Sequence, residues 1–274
     1  MKLSRASTLL LHCALLVAAA LTLFPLVWMA AVSLMPAGQA AATPPPLLPR
    51  PPTLENYTIL FRRLDVGRYA LNSLVVATAA TLISTLFNSM AGYAFAKLRF
   101  TGRDAVFRLL LVALVIPGQV GMLPLFLLVK QLGLVNSYAG VVVPGLASIF
   151  GIFLVRQYVR GIPDGLLDAA RVDGAGEWRV FKDVVLPLSR PILVALAVTT
   201  FLGTWNDFLW PLVVLSDQDK YTLPVALANL FGEHLQDTEA MMAGAVVTVL
   251  PAMVLFLCLQ RYYIHGLFGG ALKE

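Results

Sequence analysis

Six stretches of the chain run almost without Asp, Glu, Lys or Arg: roughly Leu9 to Met35, Tyr69 to Ala94, Leu109 to Val129, Ala139 to Val155, Ile192 to Val214 and Ala240 to Gln260. A helix needs about 20 apolar residues to cross roughly 30 Å of hydrocarbon, and it satisfies its own backbone groups on the way. The pattern therefore predicts an all-α membrane protein with about six transmembrane helices. Only the fifth run carries a charge, Asp207. Composition agrees, because 13% charged residues is about half of the roughly 25% found in soluble domains. Six spans and their connections use up 274 residues, so a single domain over 1–274 is expected.

Lys2 and Arg5 precede the first run and Ala40-Ala41-Ala42 follow it, a pattern a secretory leader could share. A cleavable apolar region is only about 7–15 residues long. The run from Leu9 to Met35 exceeds that and reads as a retained anchor. Cys13 and Cys258 both lie inside apolar runs and are expected to be packing residues. The net charge of +5 falls in short connections, which suits membrane topology signals better than a nucleic-acid face. With the amino terminus placed in the cytoplasm, the inner segments hold 14 Lys and Arg and the outer ones six. Cytoplasmic loops carry the excess of basic residues, so both termini are expected inside.

Two connections stand out. The outer one from Pro36 to Arg68 contains Pro44, Pro45, Pro46, Pro49, Pro51 and Pro52 and is expected to be a stiff, extended spacer. The inner one, about 156–190, is too long and polar for a turn and is patterned for helix. Pro163 and Asp164 start a helix there, and Asp173-Gly174 stops it with a residue suited to left-handed backbone. A second helix is expected over Glu177 to Val185, cut off from the fifth span by Pro187 and Pro191. Small residues at Ala169, Ala170, Gly174 and Ala175 would let another backbone approach closely. The pattern alone fits either a docking element or a helix lying on lipid headgroups.

The run Asp168-Ala169-Ala170-Arg171-Val172-Asp173-Gly174-Ala175, with Phe181 and Val184-Val185-Leu186-Pro187 at the spacing found here, resembles the cytoplasmic EAA loop of binding-protein-dependent ABC importer permeases. The usual leading glutamate of that loop is Asp168 in this chain. Asn72-Ser73-Leu74, Tyr93-Ala94-Phe95-Ala96, Ile116-Pro117, Gly133-Leu134-Val135-Asn136, Trp205 to Pro211, Tyr221 to Pro224, Gln260-Arg261-Tyr262 and Gly269 to Lys273 are similar to the carbohydrate-uptake, MalG-like branch. The resemblance implies a type I ABC importer permease fold in a bacterial or archaeal inner membrane. It also implies a second permease subunit, two ABC ATPase subunits that use ATP and Mg, and an extracytoplasmic sugar-binding protein. Asp168, Ala169, Ala170, Asp173, Gly174 and Ala175 would then be the ATPase-coupling residues. No G-x-x-x-x-G-K-[ST] phosphate loop is present, in keeping with ATP being handled by another chain.

Thr78, Thr81, Thr85 and Asn88 recur at helical spacing on one face of the second run, and Gly92 extends the line. That face either lines a solute path or packs helix on helix. Asp207, with Asn206 beside it, is either part of a gate or path, or an anchor between the interfacial aromatics Trp205 and Trp210. His12, His234 and His265 show no metal-ligand spacing. An intramembrane enzyme would need a nucleophile and base that the spans lack, and a secondary transporter or channel usually shows more than one buried charge.

Overall fold

The computed structural model describes residues 5–233 and 237–268. Lys2, His234 and the tail from Gly269 to Lys273 lie outside the described residues, as do the side chains of Arg5, Gln260, Arg261, Tyr262 and His265. Every regular element among the described residues is helical: α1 (Arg5–Ser33), α2 (Glu55–Arg62), α3 (Val66–Lys97), α4 (Arg103–Ala113), α5 (Gly118–Gln131), α6 (Tyr138–Gly145), α7 (Ile149–Arg160), α8 (Asp164–Val172), α9 (Glu177–Leu188), α10 (Arg190–Trp205), α11 (Leu209–Val214), α12 (Leu223–Glu233) and α13 (Thr238–Phe268). Three helices, α1, α3 and α13, are long and apolar enough to cross a membrane alone. Three bent pairs bring the number of candidate spans to six.

The breaks correct the straight spans expected from hydropathy. Instead of one helix over Leu109 to Val129, α4 and α5 meet at 98°, because Pro117 has no N–H to continue the ladder and α5 restarts at Gly118. The pair α6 and α7 bends by 43° after Pro144 and Gly145, and α9 turns into α10 by 79° at Ser189. The expected fifth span, Ile192 to Val214, ends as a helix at Trp205, with Asn206 to Phe208 irregular before α11. Cys13 and Cys258 are exposed on the chain and so are not internal packing residues.

The chain divides into two compact units, Met1–Arg68 with Ala226–Pro251, and Tyr69–Val225 with Ala252–Glu274. In the first, buried Asn56 of α2 donates its amide to the carbonyls of Ser33 (2.9 Å) and Met35 (2.8 Å), capping the end of α1. The proline-rich segment is a closed loop, which corrects the extended spacer expected from its sequence. Thr53 N–H donates to the Leu34 carbonyl at its base, and the Gln39 side chain bridges to the backbone of Arg50. Glu239, 2% exposed, accepts from Ala40 N–H at 2.7 Å and pins the same loop to the start of α13. Proline removes donors and fixes dihedrals, but side-chain acceptors elsewhere have closed this loop on itself.

In the second unit, α3 packs on α7 through small residues. A side chain at Gly92 would reach within 2.6 Å of Val155 Cγ1, and Gly151 meets the Asn88 amide in the same way. Phe107, buried on α4, stacks on Phe153, meets Phe95 at a tilt and carries the Arg156 guanidinium 3.8 Å over its ring. At the other end of α3, the Asn72 amide donates to the carbonyls of Asp219 and Tyr221, and Ser73 Oγ accepts from Leu223 N–H. Asn136, at φ 58°, accepts from the N–H groups of Ser216 and Asp217. Asn72, Ser73 and Asn136, singled out by resemblance, thus hold one loop, Leu215 to Leu223.

Close helix packing predicts which glycines are sensitive. A Cβ at Gly140 would overlap the Leu134 carbonyl oxygen and one at Gly92 would press on Val155 and the Arg156 backbone, whereas Gly118 faces open space. Overpacking costs about 1–3 kcal/mol, so Gly92→Ala and Gly140→Ala should melt below the parent in detergent and Gly118→Ala with it. Equal melting of all three variants would contradict this packing.

Candidate functional site

The segment 156–190 folds as a helical hairpin. Pro163, at φ −59°, precedes α8, and Asp164 occupies the first turn near the positive end of the helix dipole. The helix closes when Asp173 N–H donates to the Ala169 carbonyl, Gly174 N–H to Arg171 and Ala175 N–H to Ala170. Gly174 has φ 84°, a left-handed backbone that only glycine adopts without strain. Val180 to Val185 then form a π turn inside α9.

Burial sorts the six residues that the sequence singled out. Leu167 is 1% exposed and inserts among Tyr93, Val159, Ile162, Val180 and Phe181. Ala170 and Ala175 pack half-buried on the same cluster, so their small size serves the hairpin's own core. Asp168, Ala169, Asp173 and Gly174 are exposed. They share the surface with apolar side chains that gain nothing from water: Leu166, Val172 (87% exposed) and Trp178.

Sequence reasoning missed what holds the hairpin. Lys97, in the last turn of α3, is buried and donates from Nζ to the Ile162 carbonyl and to Asp164 Oδ1, both at 2.6 Å. One turn earlier, the Tyr93 hydroxyl donates to Glu177 Oε2 at 2.5 Å. Arg171 of α8 bridges Glu177 at 2.9 Å and Asp168 at 2.8 Å. Hydrogen bonding to Arg171, then to Tyr93, holds the Glu177 carboxyl below the usual range, and Lys97 does the same for Asp164. Both carboxylates are therefore ionised at neutral pH, and α3 grips both arms of the hairpin. Glu177 and Arg171 flank the Gly174 corner, which is the signal that could have exposed them; nothing local in the sequence pairs Tyr93 with a residue 84 positions away.

Asp207 lies in the break between α10 and α11, half-buried, with its Oδ1 accepting from Trp210 N–H at 3.4 Å. The Asn206 amide folds back onto the Leu202 carbonyl. Two hollows meet at Asp207, Leu125 and Trp210: one of about 270 Å³ reaches Thr200, Thr204 and Gly145, and one of about 300 Å³ reaches Gln119 and Met122 beside the α4–α5 break. Trp205 is 2% exposed and stacks on Phe201, and Trp210 donates its indole N–H to the Gly140 carbonyl. Trp205 is therefore an internal packing residue, whereas half-buried Trp210 packs on α6 and lines both hollows beside Asp207.

The polar line on α3 does not join this site. Thr78 is exposed, Thr81 returns its hydroxyl to the Ala77 carbonyl, and fully buried Asn88 donates to Ser84 and lies against Gly151. Thr85 Oγ1 and Asn88 Oδ1 are buried without a partner among the described residues. Asn88 and Gly92 are contacts between α3 and α7, and Ala80 is the α3 residue that lines a hollow at Asp207.

Comparison with known proteins matches this geometry. Residues 88–268, which include the hairpin, match the family described as binding-protein-dependent transport system inner membrane component. The chain is 42% identical over 224 residues to the arabinooligosaccharides transport system permease protein AraQ of Halalkalibacterium halodurans, covering 81% of this chain and 80% of that one. It is 34% identical to the lactose transport system permease protein LacG of Rhizobium radiobacter, over 79% of each chain. Identity to the diacetylchitobiose uptake system permease protein NgcG of Streptomyces coelicolor is 31%, over 96% of this chain and 88% of that one. In fold, it is similar to a chain of a bacterial ABC transporter involved in the import of the acidic polysaccharide alginate, with a TM-score of 0.85, 22% identity and 96% and 99% of the two chains covered. A transport component, and not an intramembrane enzyme, is what these relatives share. The chain belongs to the binding-protein-dependent transport system inner membrane component family.

Proposed function

We propose that this chain is a sugar or oligosaccharide permease that forms half of the path of an ATP-driven importer and takes its drive through the hairpin α8–α9. The observation that carries this reading is the double grip of α3 on the hairpin, through Lys97 and through Tyr93 and Glu177. A cytoplasmic ATPase pushing on exposed Asp168, Ala169, Asp173 and Gly174 would move α3 with them. Ala170 and Ala175 serve the same site from beneath, by fixing the corner's shape. In this reading the chain over 1–274 is one permease domain with its coupling loop at 156–190, and the distribution of Lys and Arg supports both termini in the cytoplasm.

The breaks argue for a second permease subunit. Irregular backbone at membrane depth is tolerated only where it is buried in protein or lines a water-filled cavity. Val115 (83% exposed) and Ile116 (63%) flank the α4–α5 break in the isolated chain, and Asp207 occupies the α10–α11 break. A partner permease facing both breaks would cover the apolar flanks and enclose a path at the hollows. Asp207, Thr200, Thr204 and Gln119 offer hydrogen bonds there and Trp210 an aromatic face, a combination suited to a hydroxyl-rich ring, while Asn206 adjoins Asp207 in the break with its amide spent on the Leu202 carbonyl. Asn88 contributes by setting the α3–α7 packing beside that path, and Thr78, Thr81 and Thr85 share its helical face. The relatives named for arabinooligosaccharides, lactose and diacetylchitobiose support a sugar as cargo. An extracytoplasmic binding protein would deliver it, and two ATPase subunits would use ATP and Mg on the other side.

Three variants test the assignment in proteoliposomes holding the complete transporter. Gly174→Val forces a β-branched residue into left-handed backbone at about 1–2 kcal/mol, and should insert normally yet lose ATP-driven uptake; full uptake would contradict the coupling role. Tyr93→Phe removes one hydrogen bond to a half-exposed carboxylate, worth about 1 kcal/mol after screening. It should lower the sugar moved per ATP hydrolysed while ATPase binding persists; an unchanged ratio would remove Tyr93 from the pathway of force. Asp207→Asn should impair uptake without loosening the ATPase, and failure of ATPase co-purification would show that the residue acts elsewhere.

A further inference from the structure

A second site lies beside the hairpin, and nothing in the coupling role accounts for it. The end of α3, the turn into α4, the end of α7 and α8 enclose a cavity of about 930 Å³ whose cations are Lys97, Arg99, Arg103, Arg160 and Arg171. Its carboxylates are already engaged: Asp164 by Lys97, and Asp168 and Glu177 by Arg171. Arg103 has its own partner in Asp104. The surplus therefore falls on Arg99 and Arg160, which are exposed and make no hydrogen bond or ion pair among the described residues. Two unpaired guanidiniums in one concavity are an anion site in chemical terms, and their planar forks suit the paired oxygens of a phosphoryl group.

Position narrows the source of that anion. Lys97 ends the apolar helix α3, and Arg160 ends α7, so the cations stand where the spans leave hydrocarbon. Phe100, 45% exposed, lies next to Arg99 and lines a smaller hollow of about 410 Å³ that shares Arg99 and Arg103 with the larger one. An apolar ring beside paired cations at headgroup depth suits a molecule that is anionic at one end and greasy at the other. We propose that Arg99 and Arg160 bind the phosphoryl headgroup of an anionic phospholipid between the end of α3 and the coupling hairpin. The leaflet, cytoplasmic, rests on the proposed topology; the binding itself does not.

The test uses the whole transporter in nanodiscs of phosphatidylcholine with phosphatidylglycerol, read by native mass spectrometry of the released complex. The parent should retain phosphatidylglycerol, and Arg99→Gln/Arg160→Gln should lose most of it, at least several-fold, while Arg108→Gln, an exposed arginine outside the cavity, retains it. Equal retention in the double variant, or equal loss in Arg108→Gln, would overturn the site. Binding of inorganic phosphate by the parent in detergent, lost in the double variant but with no lipid retained, would overturn the lipid as its source. Retention of lipid by the permease subunits alone, blocked once the ATPase is added, would assign the cavity to the ATPase and overturn the proposal. Because retention is read without transport, a failed coupling assignment and a failed lipid site give different results.

Discussion

The Tyr93 hydroxyl and the buried Lys97 ammonium, one turn apart on α3, each reach across to a different arm of the hairpin. The two arms are themselves joined by Arg171, which bonds to Glu177 on one and Asp168 on its own helix. A single ion pair at a protein surface contributes little, commonly under about 1 kcal/mol. Here the charges close a ring around a packed core of Leu167, Val159, Phe181 and Tyr93, so bending the hairpin would break polar contacts and open apolar ones together. Rigidity of that kind is what a lever needs, and it explains why the exposed corner can be small and plain.

A second constraint governs the spans. Hydrocarbon offers no hydrogen bonds to an interrupted helix, yet α4–α5 and α10–α11 both break within apolar sequence. Asp207 and the backbone of Gly118 adjoin the same hollow, so the two interruptions converge and leave polar groups facing one place. Gly92 and Gly151 bring α3 and α7 into close contact, and the hollow at the Asp207 break is walled in part by Ala80 of the same α3.

Much of this was legible in the order of residues. Apolar runs gave the number of spans, and the helix start at Pro163, the corner at Gly174 and the restart at Glu177 fell where the structure has them. Hydropathy could not see that Leu109 to Val129 and Ile192 to Val214 are each two helices, since a window average is blind to a missing N–H at Pro117 or to the side-chain bonds of Asn206 and Asp207. The partners of Trp205 and Trp210, Phe201 and the Gly140 carbonyl, become visible only when the helices are packed. The grip on the hairpin was hidden for the same reason, since Lys97 and Asp164 are separated by 67 positions and meet only in the fold.

The central claim is that α3 and the hairpin move as one body when the transporter works. Spin labels at Met90 on α3 and Val172 on the hairpin, both exposed on this chain, report that separation by pulsed electron paramagnetic resonance. With the complete transporter held first without nucleotide and then in an ATP-trapped state, the account requires the same distance distribution in both. A shift of the distribution on trapping would mean that the hairpin flexes against α3, and the lever would not exist.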